Sequence, residues 1–191
     1  MALEHALLVA LSEQPASGLD LAKRFSRSIG FFWHATHQQI YRVLGRMDAD
    51  GWVRSTEVVQ VGRPNKLVYA VTPAGAEALA AWLAEPTSPD PMRSDLAVKL
   101  RGASFGDLDA VLDVVRANLA DHHTRLDHYQ QLMTRDYPEP AALSGLELDH
   151  YLVLRGGILM EETWIAWLTE YLESRHGLAG ARPARSPKEE R

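Results

Sequence analysis

Hydrophobic positions recur along most of this chain at helical spacing, with one short stretch of strand-like sequence between. Leu3, Ala6, Leu7, Ala10 and Leu11 step by three and four, so Ala2 to Leu11 predicts a helix with one apolar face, stopped by "SEQPASG". "LDLAKRFSRS" predicts a second, short helix able to bury Leu19, Leu21, Ala22 and Phe25 while Lys23, Arg24 and Arg27 turn outward. Gly30 and the aromatics Phe31, Phe32 and Trp33 link it to a third helix. There Ile40, Val43, Leu44 and Met47 form one side, and Gln38, Gln39, Arg42 and Arg46 the other. Thr36 and Gln39 read as a T-x-x-Q capping box, each side chain satisfying a backbone group left unpaired at the helix start, and Gly51 ends the helix.

After Gly51 the period changes. "WVRSTEVVQV" and "KLVYAVT" are rich in β-branched and aromatic residues and are separated by "GRPN", whose residues suit a turn, so a β-hairpin with Arg63 at its tip is predicted. "TPAGAEALAAWL" returns to helix, with Thr72 as N-cap and Pro73 at the first helical position, where its missing N–H costs nothing. "AEPTSPDPMR" carries three prolines and marks the boundary between modules. Beyond it, Leu108, Leu112, Val115, Leu119, His122, Leu126, Tyr129 and Met133 alternate steps of four and three, the pattern of a coiled-coil seam on a helix from Asp107 to Met133. "DYPEP" breaks it, and Leu143 to about Arg175 forms another long helix, apolar on two faces and interrupted by Gly156-Gly157. Two long helices with surplus apolar faces imply a partner, most simply a second copy of the chain, with Leu112, Leu119, His122, Leu126 and Tyr129 as the contact. "GARPARSPKEER" has the composition of disorder. The expected organisation is therefore a winged helix-turn-helix domain at 1–85, a joint at 86–92, a helical dimerisation and effector domain at 93–176, and a disordered tail at 177–191, mainly α with a small hairpin.

Composition changes this picture in two places. The absence of cysteine excludes disulfides, thiolate metal sites and a cysteine nucleophile, and suits a reducing cytoplasm. The apolar N-terminus carries Glu4 in place of a basic leader and is too short to span a bilayer, so a cytoplasmic protein without membrane contact is expected. The formal net charge of -5 argues at first against nucleic acid, but it is unevenly spread. From Lys23 to Lys66 eight Lys/Arg face three Asp/Glu, an excess of five positive charges, while from Pro86 onward twelve face seventeen. A cationic segment on an acidic body presents a local field that the total conceals.

A helix-turn-helix followed by a hairpin is a winged helix, whose second helix-turn-helix element enters the major groove. Glutamine can there bond both edge groups of adenine and arginine the O6 and N7 of guanine, each good pair giving about 1 to 3 kcal/mol of discrimination. Thr36, Gln38, Gln39, Arg42 and Arg46 are accordingly candidate contacts on the helix. Tyr41 would reach a phosphate, and Arg63, Asn65 and Lys66 on the wing would approach the backbone or minor groove. A merely solvated helix face is the bland alternative, and the hairpin with its Arg63 weighs against it.

The stretches "QQIYRVLGRMDADGWV", "GRPNKLVYAVTPAGAEAL" and "LVLRGGILMEETWIAWLTEYLE" together resemble the PadR family of bacterial transcriptional regulators, in particular its longer subfamily with a helical C-terminal domain. The resemblance covers nearly the whole chain except the tail. It implies a homodimeric winged-helix repressor, dimerised by its C-terminal helices and released from DNA by a small molecule, phenolic acids in the best-known cases. By position, Gln38, Tyr41, Arg42 and Lys66 match the family's DNA-contacting places; no local motif carries over an effector.

Other chemistry is thinly represented. In "DHHTRLDHY", His123 and Asp127 are four apart and could share a metal, but a third ligand would have to come from elsewhere, and a solvated face is favoured. His122 is a polar residue in the seam that could fix register or respond to pH. Trp164, Trp167, Tyr151, Tyr171 and Met160 fit a core or dimer contact. An effector pocket would draw on His150, Glu161, Trp164 and Trp167, flat apolar walls with a few polar groups. No nucleophile and base arrangement, phosphate loop or metal signature appears, so neither an enzyme nor a cofactor is expected. The expectation is a ligand-responsive, sequence-specific DNA-binding regulator, a repressor, acting as a homodimer on a palindromic operator and released by a small aromatic or apolar effector near the joint. The alternatives are a winged-helix module that binds protein and a metal-responsive regulator.

Overall fold

The computed structural model describes residues 3–25, 35–59, 62, 65–87 and 93–179. The chain divides between Asp90 and Pro91 into two units. In the first, α1 (Leu3–Glu13), α2 (Gly18–Phe25) and α3 (His37–Ala49) precede a hairpin of β2 (Val53–Val58) and β3 (Lys66–Val71), and α4 (Pro73–Leu83) follows. A two-residue strand β1 (Ala16–Ser17) pairs with the other edge of β3, giving a three-stranded antiparallel sheet in the order β1-β3-β2. Its register sets Ala16 opposite Tyr69 and Ser17 opposite Val68, with Val53 opposite Val71 across the hairpin. β1 lies where the sequence predicted only a stop; two residues are too few to show a period.

Most of the apolar residues chosen by periodicity form the core of this unit, joined by Leu8, while Leu19, expected to be buried, is 46% exposed. Leu7, Leu8 and Leu11 of α1, Leu21 and Phe25 of α2, Ile40, Leu44 and Met47 of α3 and Val53 of β2 are buried in one cluster, closed by Tyr69 and Leu79. The Thr36–Gln39 capping box is present at the start of α3. At its end Gly51 adopts φ 75, the left-handed turn that releases the chain toward β2. Asp48 then holds β2 in place, accepting from the Ser55 amide at 3.0 Å and its hydroxyl at 2.7 Å. Thr72 caps α4 by accepting from the Gly75 amide at 3.1 Å, and its hydroxyl lies 2.6 Å from the Gly51 carbonyl oxygen. Gly75 follows because α4 starts against the backbone of Trp52: an added Cβ would stand 2.9 Å from the Trp52 carbonyl carbon and closer still to its oxygen.

The second unit opens with α5 (Asp95–Gly102) and a short 3-10 turn, Ala103–Phe105, neither separately foreseen, and continues in α6 (Leu108–Asp136) and α7 (Gly145–Ala179). At 29 and 35 residues, α6 and α7 are roughly 44 and 52 Å long. They run antiparallel: Tyr137 meets Tyr151 near the connection, His122 meets Glu161 further along, and Val115 and Leu168 share a cluster with Leu100 of α5. Residues 177–179, assigned to the tail by composition, belong to α7. Among the described residues no helix is long and apolar enough to cross a membrane.

Candidate nucleic-acid interface

Because Ile40, Val43, Leu44 and Met47 anchor α3 in the core, helical geometry turns Gln38, Gln39, Tyr41, Arg42 and Arg46 to the other side, where all five are exposed. Their roles then separate. Gln39 is held by the capping box, its Oε1 accepting from the Thr36 amide at 2.8 Å and from its hydroxyl at 3.2 Å. Arg46 reaches back to α1 and donates to Glu4 Oε1 at 2.6 Å, a carboxylate whose side chain is only 11% exposed. Gln38, Tyr41 and Arg42 make no hydrogen bond or ion pair among the described residues, and they present an amide, a phenol and a guanidinium along one helical turn.

On the wing, Asn65 donates to Glu57 Oε1 at 2.9 Å, and the Lys66 ammonium lies 3.6 Å from Asp20 Oδ2. Arg63, predicted at the hairpin tip, lies outside the described residues. Asp20 is itself placed by Ser17, whose hydroxyl donates to Oδ2 at 2.7 Å and accepts from the Asp20 amide at 3.2 Å. That hydrogen bond, with Lys66 beside it, holds the Asp20 carboxyl below the usual carboxylate range. Ser17 thus caps the first turn of α2 through its hydroxyl, and "SGLD" carries the S-x-x-D spacing that signals such a helix start.

These contacts also revise the charge count. Glu4 and Asp20, the partners of Arg46 and Lys66, both precede Lys23, where the cationic window began. Over residues 1 to 90 the eight Lys/Arg face nine Asp/Glu, a formal charge of -1. Arg24 is also engaged, donating to the Ala10 and Gln14 carbonyls at 3.3 and 3.1 Å near the end of α1. The first unit as a whole therefore carries no positive excess.

In the second unit, Leu112, His122 and Tyr129 are buried and Leu119 and Leu126 half-buried by contacts within one chain. Within one chain α7 already packs on much of the seam read as an interface between chains, because an antiparallel neighbour satisfies the same heptad pattern. His122 Nδ1 lies 2.5 Å from Glu161 Oε2, and Arg125 donates through Nε to Glu161 Oε1 at 3.0 Å, so two groups of α6 converge on one carboxylate of α7. The Trp164 ring stacks on His122 at 5.2 Å and meets Trp167 at 5.2 Å. Burial pushes the Tyr129 hydroxyl up from its ordinary range, and the Glu161 carboxylate adds to the effect.

Of the four candidate effector residues, Trp164 and Trp167 line an open concavity on α7 together with Leu159, Met160 and Thr163. Glu161 is engaged by α6, and His150 lies on an exposed turn nearer the start of α7, outside that lining. His123 and Asp127 are both exposed, and among the described residues no group of three His, Cys, Asp or Glu could hold a metal ion.

A three-stranded winged helix with an outward amide, phenol and guanidinium on its recognition helix, joined to a long helical hairpin, defines a DNA-binding regulator. Comparison with known proteins gives the same class. Residues 7–81 match the transcriptional regulator PadR-like family, and residues 92–174 match the family described as virulence activator alpha C-term. The chain is 50% identical over 184 residues to the probable transcriptional regulator Rv1176c of Mycobacterium tuberculosis, covering 91% of this chain and 97% of that protein. The Vibrio cholerae virulence activator AphA superposes with a TM-score of 0.77 at 33% identity, covering 92% and 99% of the two chains. Bacillus subtilis PadR in complex with operator DNA superposes at 0.81 with 25% identity over 91% and 99%, and the same protein is also solved with p-coumaric acid. The chain belongs to the PadR family of transcriptional regulators, which are not enzymes.

Proposed function

We propose that this protein is a cytoplasmic, homodimeric repressor that inserts two copies of α3 into successive major grooves, about 34 to 36 Å apart, on a palindromic operator. The observation that carries this reading is the outward, unbonded set Gln38, Tyr41 and Arg42 on a helix whose opposite side is locked into the core. Gln38 and Arg42 read base edges, Tyr41 reaches a phosphate, and Lys66, Asn65 and Arg63 approach the backbone from the wing. Thr36, Gln39 and Arg46 act mainly by fixing the helix that carries them. The relative solved with operator DNA supports the partner.

With the α6 seam covered by α7, the dimer contact falls to the open stripe of α7. Leu146, Val153 and Met160 recur there every seventh residue and are each more than half exposed. A small aromatic or apolar effector enters the concavity walled by Trp164 and Trp167, a reading supported by the p-coumaric acid complex of a protein of the same fold. It lowers DNA affinity by binding one dimer shape more tightly than the other.

Footprinting on the DNA upstream of its own gene tests the proposal. Two protected half-sites one helical turn apart, lost in Arg42→Ala while light scattering still reports a dimer, are expected. A single protected half-site, or operator binding untouched by Arg42→Ala, overturns it. Met160→Glu is expected to yield monomers that keep the helical content of the wild type. Deletion of the gene is expected to raise the controlled transcript; a fall would make the protein an activator.

A further inference from the structure

The first turn of α2 touches both elements that carry the DNA contacts. Ser17 is buried and paired with Val68 of β3, and its hydroxyl accepts from the Asp20 amide and donates to the Asp20 carboxylate, whose Oδ2 faces the Lys66 ammonium at 3.6 Å. One residue on, Gly18 lies flush against the Tyr41 ring of α3. An added Cβ would stand 2.8 Å from Cζ and 2.9 Å from Cδ1, and nearer still to Cε1. Gly18 is not among the glycines with positive φ, so its backbone does not require glycine; a Cβ there would instead displace the Tyr41 ring.

We propose that this turn is a positioning element for DNA recognition, in which Gly18 seats the Tyr41 ring and Asp20 holds the Lys66 ammonium until a phosphate displaces it. The inference rests on the reading of Tyr41 and Lys66 as DNA contacts. A wing lysine with no counterion would bind any duplex through its phosphates, because that contact carries no sequence information. A carboxylate placed beside it opposes its attraction to phosphate, so that every duplex must compete for it. Sequence-independent binding is thereby kept weak, while the α3 side chains that read base edges are untouched. The Tyr41 ring needs the opposite treatment. Half exposed and without a hydrogen bond among the described residues, it has one ring edge seated against Gly18, and that contact is what positions it.

The test uses the full chain with operator and random duplexes over a range of salt. Asp20→Asn keeps an oxygen to accept from Ser17 and removes the charge facing Lys66. It is expected to tighten binding to both duplexes about two- to fivefold and to steepen the slope of log affinity against log salt by up to about one. In a Lys66→Ala background the same change is expected to do nothing. Glu77→Gln, which removes an exposed carboxylate of α4 in the same unit, is the control for overall charge. Gly18→Ala is expected to weaken operator binding at least fivefold in the wild type and not at all in Tyr41→Ala, where no ring remains to be displaced.

Asp20→Asn behaving as Glu77→Gln does, or keeping its gain without Lys66, overturns the role given to Asp20. Equal losses from Gly18→Ala with and without Tyr41 overturn the role given to Gly18. Where Gly18→Ala fails to fold, Asp20→Asn still decides. Failure of the wild type to bind any duplex is a distinct result that removes the DNA reading itself and this inference with it.

Discussion

Replacing Arg46 and Arg42 by alanine, one at a time, separates two arginines that stand one helical turn apart on the same exposed face. Arg46 donates at 2.6 Å to Glu4, and the two side chains are 48% and 11% exposed. Removing the guanidinium leaves a largely buried carboxylate without its charged partner. Fully exposed pairs contribute about 0.2 to 1 kcal/mol, and breaking a fully buried one costs about 3 to 5 kcal/mol. With one partner covered and the other half in solvent, about 1 to 2 kcal/mol is expected, with solvent screening setting the upper end. In a domain of this size that corresponds to a fall of roughly 5 to 10 °C in Tm. Arg42 makes no bond among the described residues, so its loss should move Tm by no more than about 2 °C, as for an ordinary surface change. In a gel shift the order is expected to invert: with Arg42 proposed as a base contact, Arg42→Ala should lose about 1 to 3 kcal/mol, roughly five- to 150-fold in affinity. Arg46→Ala loses much less. Glu4→Ala combined with Arg46→Ala should recover part of the lost Tm, since no orphan carboxylate remains. Calorimetry of the full chain reads the first quantity and titration of labelled operator the second. An Arg46→Ala protein that melts as the wild type does and binds as poorly as Arg42→Ala would refute the separation, and Arg46 would join the DNA contacts.

Three further outcomes follow from the packing. Gly75→Ala should gain up to about 1 kcal/mol from helix propensity, yet the Cβ would press on the Trp52 carbonyl, so a net loss of about 1 to 3 kcal/mol is expected; a raised Tm would show that the approach relaxes freely. Leu168→Ala empties a fully buried site between α5, α6 and α7 and should cost about 2 to 5 kcal/mol in urea unfolding of the second unit. A loss below about 1 kcal/mol would contradict that packing. The raised pKa of Tyr129 has a defined sign: the phenol is neutral in both states below its ordinary range, and the stability it supports is lost as pH rises through the folded value. In urea midpoints the wild type should therefore lose stability relative to Tyr129→Phe above about pH 10; a difference constant with pH would mean that Tyr129 does not titrate with unfolding.

What could be read from the sequence follows from the range of each interaction. α3 was legible to its first residue because its signals are local: apolar positions three and four apart, and a capping box spanning three residues. The partners of its arginines were not. Arg42 and Arg46 are indistinguishable on a helical wheel, and what separates them is a carboxylate 42 residues upstream, on a helix whose own periodicity concerns only its apolar side. For the same reason the cationic window was real as a sequence fact and smaller in space, since Glu4 and Asp20 approach it from outside. The α6 seam shows the limit most clearly. Heptad spacing states that a helix faces Leu112, Val115, His122 and Tyr129, but not which chain supplies it. The connection after Asp136 is short enough to fold α7 back antiparallel, and doing so places Glu161 against His122 and Arg125, a polar match that no apolar pattern encodes. Once α7 has spent one apolar face on that seam, its second face, with Leu146, Val153 and Met160, is the surplus that the sequence had assigned to the pair of helices as a whole. The proposal of a second copy rests on that uncovered apolar surface, and not on which of the two helices carries it.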